Sequence, residues 1–301
     1  MAEPLTAATL ASEAATDTAA EVAGDALRLL RRSLQRSRGF ALLLCVCELP
    51  TARNQFLAQL GSAMPDVELI TIDAADPGQY LLEALLAELE AVAADKSVRV
   101  VVLAGAGKAF CAGHDLKEMR SNYTKAFQQA LFRLCGKVMM QIVGMPQPVV
   151  ARIHGIATAA GCQLVSMCDL AVASDVARFA VSGINVGLFC ATPSVGLSRN
   201  MGRKEAFEML VTGDFIDAAE AKRRGLVNRV VPLETLDEEV GRLTASICAK
   251  SPVAIAMGKQ MFYSQLEMGL DAAYQHASEV MACNMMCEDA AEGIDAFMAK
   301  R

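Results

Sequence analysis

Two stretches of the chain bring together residue types that could hold a negative charge forming on a substrate oxygen. The first is Lys108-Ala109-Phe110-Cys111-Ala112-Gly113-His114-Asp115-Leu116, and the second is His154-Gly155-Ile156-Ala157-Thr158-Ala159-Ala160-Gly161-Cys162-Gln163. Each places very small residues just after an apolar, β-branched run and just before a helical pattern. Main-chain N–H groups at such a junction have no intrahelical partner, and the helix dipole adds partial positive charge there. Two junctions facing each other make an oxyanion hole, which lowers the barrier of any reaction that charges a carbonyl oxygen. Taken alone, either loop is better explained by tight turns and close helix packing. Asp115 reads as a cap of the helix that follows it, and Asp169, between a helix and a strand, reads as structural. His154 and His276 have no converging partners in the sequence and also read as structural.

The elements around these loops have to present them. Val98 to Leu103 and Val149 to Ile153 are continuous apolar runs of the kind found in strands buried on both faces. Helical spacing of Leu and Ala over 80–94 precedes the first run. A helix over 124–142 precedes the second and stops at Pro146 and Pro148. Gly155 to Gly161 reads as a small-residue loop, 162–168 as a short helix and 170–173 as another strand. Beyond Arg203 the pattern is mostly helical (203–211, 217–223, 233–249, 252–264, 270–286 and 289–299), with one strand over 227–231. Upstream, residues 1–26 read as a disordered or loosely helical tail. Residues 27–79 form an atypical αβαβ segment, with helices at 27–36 and 52–60, strands at 40–47 and 67–72, and a turn at Asp76-Pro77-Gly78. The remainder divides into a core over 80–250 and a helical region over 251–301.

Composition narrows the functions open to this α/β chain. Its 301 residues are 53% hydrophobic and 21% charged, enough apolar surface to offset the entropy of ordering. With 28 basic and 34 acidic residues the net charge is −6, so no basic excess is present to neutralise a nucleic-acid backbone. Apolar stretches such as 40–47 are far shorter than a bilayer requires, so no membrane partner is expected. The ten cysteines include no CxxC pair and sit mostly among apolar neighbours. They read as reduced core residues, and together with the acid-containing N-terminus they point to a cytoplasmic protein. No His, Cys or carboxylate cluster has ligand spacing, so neither a metal nor a redox cofactor is expected.

The strings VVVLAGAGKAFCAGHDLKEM, IHGIATAAGCQLVSMCDLAVAS, GLVNRVVP and EGIDAFMAKR resemble, in order and spacing, the enoyl-CoA hydratase/isomerase family, also called the crotonase superfamily, over about residues 80–301. The resemblance implies a crotonase-like spiral of ββα turns with a helical C-terminal trimerisation region. It implies an acyl-CoA-processing enzyme of the lyase or isomerase class in fatty acid metabolism. A CoA thioester would be its substrate, and the assembly a homotrimer or a dimer of trimers. Carried over by position, the oxyanion donors are the N–H groups of His114 and Ala160. Contacts to the CoA adenine and pantetheine fall on Lys108, Cys111, Ala112 and Leu116, with Gly161 beside the thioester. Cys190 and Thr192 lie on the loop that lines the acyl pocket. Phe297 and Lys300 match positions that reach CoA bound near a neighbouring subunit.

The departures bear on the reaction. Hydratases of the family activate water with two glutamates, and the matching positions are Gln163 and Gly183. Gln163 can orient a water but cannot exchange a proton, and Gly183 has no side chain. The standard two-glutamate hydration therefore does not fit, and installing glutamate at both positions is expected to raise it. A decarboxylase or thioesterase-like member, or a catalytically weak acyl-CoA binding protein, are the alternatives. The His-containing AGHDL form resembles a decarboxylase branch of the family, and the segment over 179–193 resembles members that lack the same acids. The family's N-terminal hairpin has no clear counterpart, so 27–66 is either a fused element or that hairpin rebuilt.

Overall fold

A computed structural model describes residues 40–47, 67–73, 79–105 and 107–301. The expected tail at 1–26, the helices at 27–36 and 52–60 and the turn at 76–78 lie outside the described residues.

A six-stranded parallel sheet carries the core. Strand β3 (Val98–Gly105, VRVVVLAG) is buried along almost its whole length and β5 (Val149–Ile153) entirely so, as their unbroken apolar runs require. They pair in parallel from Val101↔Val149 to Ala104↔Arg152. On one side β7 (Leu170–Ser174) and β10 (Arg229–Val231) extend the sheet. On the other, β1 (Phe40–Cys47) pairs with β3, and β2 (Val67–Asp73) pairs with β1, both in parallel, giving the order β10-β7-β5-β3-β1-β2. Parallel neighbours need a crossover rather than a tight turn. The parallel pairing of β1 with β2 is not that of a hairpin, and the two strands widen the core sheet.

A second sheet lies beyond the ends of these strands. It is built from β4 (Ala109–Cys111), β6 (Ile156–Thr158) and β8 (Arg178–Ala180) in parallel, with β9 (Ile216–Asp217) antiparallel to β8. Three times the chain leaves a long strand of the first sheet, adds a short strand to the second, and enters a helix. These are the ββα turns of the spiral. The stretch 155–161, expected to be a plain loop, thus contains β6. Strands of two or three residues are too short to show an alternating pattern in sequence.

The helices close the spiral. Helix α1 (Gln79–Ala94) precedes β3. Helices α2 (Leu116–Ser121) and α3 (Lys125–Gly144) follow β4, α4 (Ala160–Met167) follows β6, and α5 (Ala191–Asn200) follows β8. Asp115 caps α2 as expected, accepting from the N–H of Lys117 at 2.7 Å. Helices α6 (Arg203–Thr212) and α7 (Ala218–Arg223) lead to α8 (Leu236–Cys248). The α8 stripe Leu236, Val240 and Leu243 recurs every three to four residues and packs on Val100, Val102, Val150 and Val172 of the main sheet.

Beyond α8, helices α9 (Pro252–Leu266), α10 (Leu270–Met285) and α11 (Glu288–Met298) bury little within the chain. One anchor of α9 is Lys259, 8% exposed. Its Nζ donates to the carbonyls of Ile142 and Gln147, each at 2.8 Å, and to Asp169 Oδ2 at 2.7 Å. Asp169 also accepts from the Val149 N–H. Burial pushes the Lys259 pKa down and the Asp169 carboxylate opposes it. A buried cation is tolerable when its protons are all accepted in this way.

Candidate functional site

The two loops singled out in the sequence meet. Strands β4 and β6 pair through Ala109↔Ile156 and Cys111↔Ala157, so the residues that follow each strand emerge side by side. Gly113 adopts φ +97°, a left-handed conformation that glycine reaches without strain. A Cβ at Gly113 would lie 3.0 Å from Ala159 Cβ and 3.3 Å from Ala160 N, which places the first loop against the start of α4. Gly161 is forced by closer packing still, since a Cβ there would stand 2.1 Å from the Cys111 carbonyl oxygen. Ala159 takes φ +51° despite its side chain, with its N–H donating to Ala180 O at 3.0 Å. Among the described residues, no backbone carbonyl accepts from the N–H of His114 or Ala160. Ala160 opens α4, so its N–H is one of that helix's free donors.

One face of α3 lines this junction. The His114 ring meets Phe132 edge-on, with centroids 5.7 Å apart at 67°. His114 Nε2 is buried with no hydrogen-bond partner, and burial lowers the ring's pKa below 6.5, so the imidazole is neutral at pH 7. One helical turn on from Phe132, the Cys135 thiol donates to Gln163 Oε1 at 3.8 Å. Gln163 is only 4% exposed, and its amide oxygen is turned to this thiol. Burial, then the neighbouring Cys111, pushes Cys135 up to about 11, which keeps it a protonated donor.

The space beside Gly183, the position expected to match the second family glutamate, is filled. A Cβ at Gly183 would lie 2.6 Å from the Leu188 carbonyl oxygen and 2.8 Å from Cys190 Sγ. Cys190 is buried at the N-terminus of α5, donates to Val181 O at 3.5 Å, and has its pKa raised by burial against a backbone hydrogen bond from Gly183. Leu188 N–H closes the turn onto Gly183 O at 2.9 Å. The Thr158 and Ser182 hydroxyls, 3.0 Å apart, tie this turn to the loop before α4. Neither they nor Phe132 and Cys135 stood out in the sequence. Helical spacing could have placed Phe132 and Cys135 on one face of α3, but nothing in the chain marks which face meets the loops.

The remaining expected site residues are spread more widely. Lys108 and Ala112 are exposed on the first loop, Cys111 ends β4, and Leu116, the first residue of α2, is also exposed. Thr192 is half-buried in the first turn of α5. Phe297 on α11 and Lys300 beyond it project into solvent within one chain, Phe297 being 84% exposed. Among the described residues no three His, Cys or carboxylate side chains gather as metal ligands, and no helix is long and apolar enough to cross a membrane. Cys111, Cys135, Cys162, Cys168, Cys190, Cys248, Cys283 and Cys287 form no disulfide.

A parallel sheet with ββα turns, two apposed N–H-bearing loops and a helical C-terminus define the class of protein. The chain belongs to the enoyl-CoA hydratase/isomerase family, whose profile matches residues 77–301. Within that family it is similar to the mitochondrial enoyl-CoA hydratase domain-containing protein 3 of Rattus norvegicus, 45% identical over 221 residues covering 73% of this chain and 74% of the relative. The Homo sapiens counterpart is 43% identical over the same length, covering 73% of each chain. Among solved structures, an enoyl-CoA hydratase of Mycobacterium smegmatis is 58% identical, with a TM-score of 0.74, covering 74% of this chain and 87% of that one. The human enoyl-CoA hydratase domain-containing protein 3 is 44% identical, with a TM-score of 0.72, covering 74% and 88%. The mitochondrial names of the curated relatives overturn the cytoplasmic expectation. Reduced cysteines report a reducing environment, which is not confined to one compartment.

Proposed function

We propose that this protein processes acyl-CoA thioesters, with the thioester oxygen accepting hydrogen bonds from the N–H groups of His114 and Ala160. The observation that supports this reading is the packing of Gly113 on Ala159 and Ala160, which brings the loop of His114 against the first residue of α4. Preorganised donors stabilise charge that develops on the oxygen, whether the step is isomerisation, decarboxylation, thioester hydrolysis or hydration of a particular substrate. In this reading the CoA lies along Lys108, Cys111, Ala112 and Leu116, and the acyl group sits near Gly161, Gly183, Cys190 and Thr192.

Paired-carboxylate hydration is left out for a geometric reason. Gln163 cannot accept or return a proton at neutral pH, and the space at Gly183 is taken by Leu188 O and Cys190 Sγ. Turnover on a panel of enoyl-, malonyl-type and saturated acyl-CoA thioesters tests the proposal. Conversion of at least one class is expected, with crotonyl-CoA hydration far below the ordinary range of about 10–10³ per second. Hydration at such rates would overturn the account of the missing carboxylates. The filled space at Gly183 favours a second reading, an acyl-CoA binding protein without chemistry; tight binding with no turnover across the panel would select it.

The apolar faces of α9 to α11 support a trimer or dimer of trimers, in which Phe297 and Lys300 of one protomer would approach the CoA of a neighbour.

A further inference from the structure

We propose that His154 is a positioning residue for the nucleotide end of CoA: its ring ties the Gly107 carbonyl, and with it the loop carrying Lys108, to the end of β5. The inference rests on the acyl-CoA reading above. His154 follows β5 directly, and its Nε2 lies 3.1 Å from Gly107 O. A carbonyl only accepts, so Nε2 carries the proton, and Nδ1, buried without a hydrogen-bond partner, is the bare nitrogen. Burial first, and the Arg152 guanidinium second, lower the ring's pKa, while the Gly107 bond and the Asp237 carboxylate oppose them. The ring is therefore a neutral donor held in one tautomer.

The root of the ring is fixed as well. The Ser174 hydroxyl on β7 donates to the His154 carbonyl at 3.1 Å. Gly155 follows with the Lys108 carbonyl packed on it, since a Cβ there would lie 2.8 Å from that oxygen. The loop is pinched where it leaves β3, a Cβ at Gly105 falling 2.2 Å from Phe110 O. Its apex is open: Gly107 has φ +91°, and nothing lies within 4 Å of a Cβ built there. A glycine apex facing solvent is free to sample many conformations, and His154 holds its carbonyl from the inner side. Lys108, the next residue, is exposed and takes its position from that carbonyl.

The experiment compares wild type with His154→Ala, His154→Gln and Lys108→Ala, measuring acetyl-CoA affinity by calorimetry, thermal unfolding, and amide hydrogen exchange over residues 107–110. A glutamine amide nitrogen can reach the place of Nε2, so His154→Gln should bind within about twofold of wild type. His154→Ala should bind about three- to tenfold more weakly, the scale of one hydrogen bond, with faster exchange over 107–110. Wild-type affinity in His154→Ala alongside weakened binding in Lys108→Ala would overturn the role of His154 and leave the acyl-CoA reading intact. Wild type that binds no acetyl-CoA would remove the reading and this proposal with it, whereas unchanged affinity in Lys108→Ala would overturn this proposal alone. If His154→Ala does not fold, His154→Gln decides: binding more than threefold weaker than wild type overturns the proposal, and wild-type binding supports it.

Discussion

Burial changes the protonation behaviour of His114 and His154, and this makes stability depend on pH. Both rings have pKa values lowered from 6.5. Below that value the unfolded chain binds protons that the native state refuses, so stability is complete above about pH 6.5 and declines as the pH falls through the window beneath it. Each histidine contributes a slope of at most about 1.4 kcal/mol per pH unit. Denaturant titrations between pH 8 and pH 5 should show this loss, and His114→Phe, which keeps an aromatic ring beside Phe132, should show a shallower one. Parallel curves would mean that His114 is not held neutral. Gly183 supports a second prediction at this scale. Gly183→Ala meets a backbone oxygen at 2.6 Å and a thiol at 2.8 Å, and should cost about 1–3 kcal/mol in chemical unfolding. A neutral result would mean that the Leu188 turn moves aside readily. For the same reason glutamate at both 163 and 183 is no longer expected to restore hydration.

At the scale of elements, the contact between the end of β4 and the start of α4 is the least forgiving. Gly161→Ala would set a Cβ 2.1 Å from the Cys111 carbonyl, and neither backbone can retreat without unpairing β4 from β6. The expected outcome is a drop in melting temperature of ten degrees or more, or loss of soluble protein. Two residues earlier the sign reverses. Ala159 holds φ +51°, a sparsely populated region that costs an L-residue about 1–3 kcal/mol, so Ala159→Gly should be neutral or stabilising by up to about 1 kcal/mol although glycine gives the unfolded chain more freedom. The main strands and helices were legible in the sequence, β3 and β5 as unbroken apolar runs and α3 and α8 because they have enough residues to show a period. So were the two loops, from their run of small residues after a buried strand. The short strands β4, β6 and β8 were not, nor was the parallel pairing of β1 with β2, which is set by partners distant in the chain. The plug at Gly183 was equally hidden, because it depends on where a turn five residues away folds back.

On the scale of the whole molecule, the three C-terminal helices leave a large apolar surface uncovered within one chain. Phe262, Leu266, Met281, Met285, Met286 and Phe297 are all exposed in the single chain, more apolar surface than a solvated helical face carries. The full-length protein should sediment as a trimer or hexamer at micromolar concentration. Phe262→Asp combined with Met281→Asp should shift it toward monomer while leaving the helical signal in place. A wild-type monomer would refute the assembly. These helices are moored by Lys259, whose acceptors at Ile142, Gln147 and Asp169 lie 117, 112 and 90 residues earlier in the chain. That separation imposes an order of events on folding. The mooring cannot close until the end of α3, the start of β5 and the turn into β7 stand together, because before then there is no ring of oxygens to receive the ammonium group and leaving water would be unfavourable. Helix α9 is therefore expected to dock late, after the spiral has formed, so that the apolar surface of α9 to α11 is presented only by chains whose core is already complete.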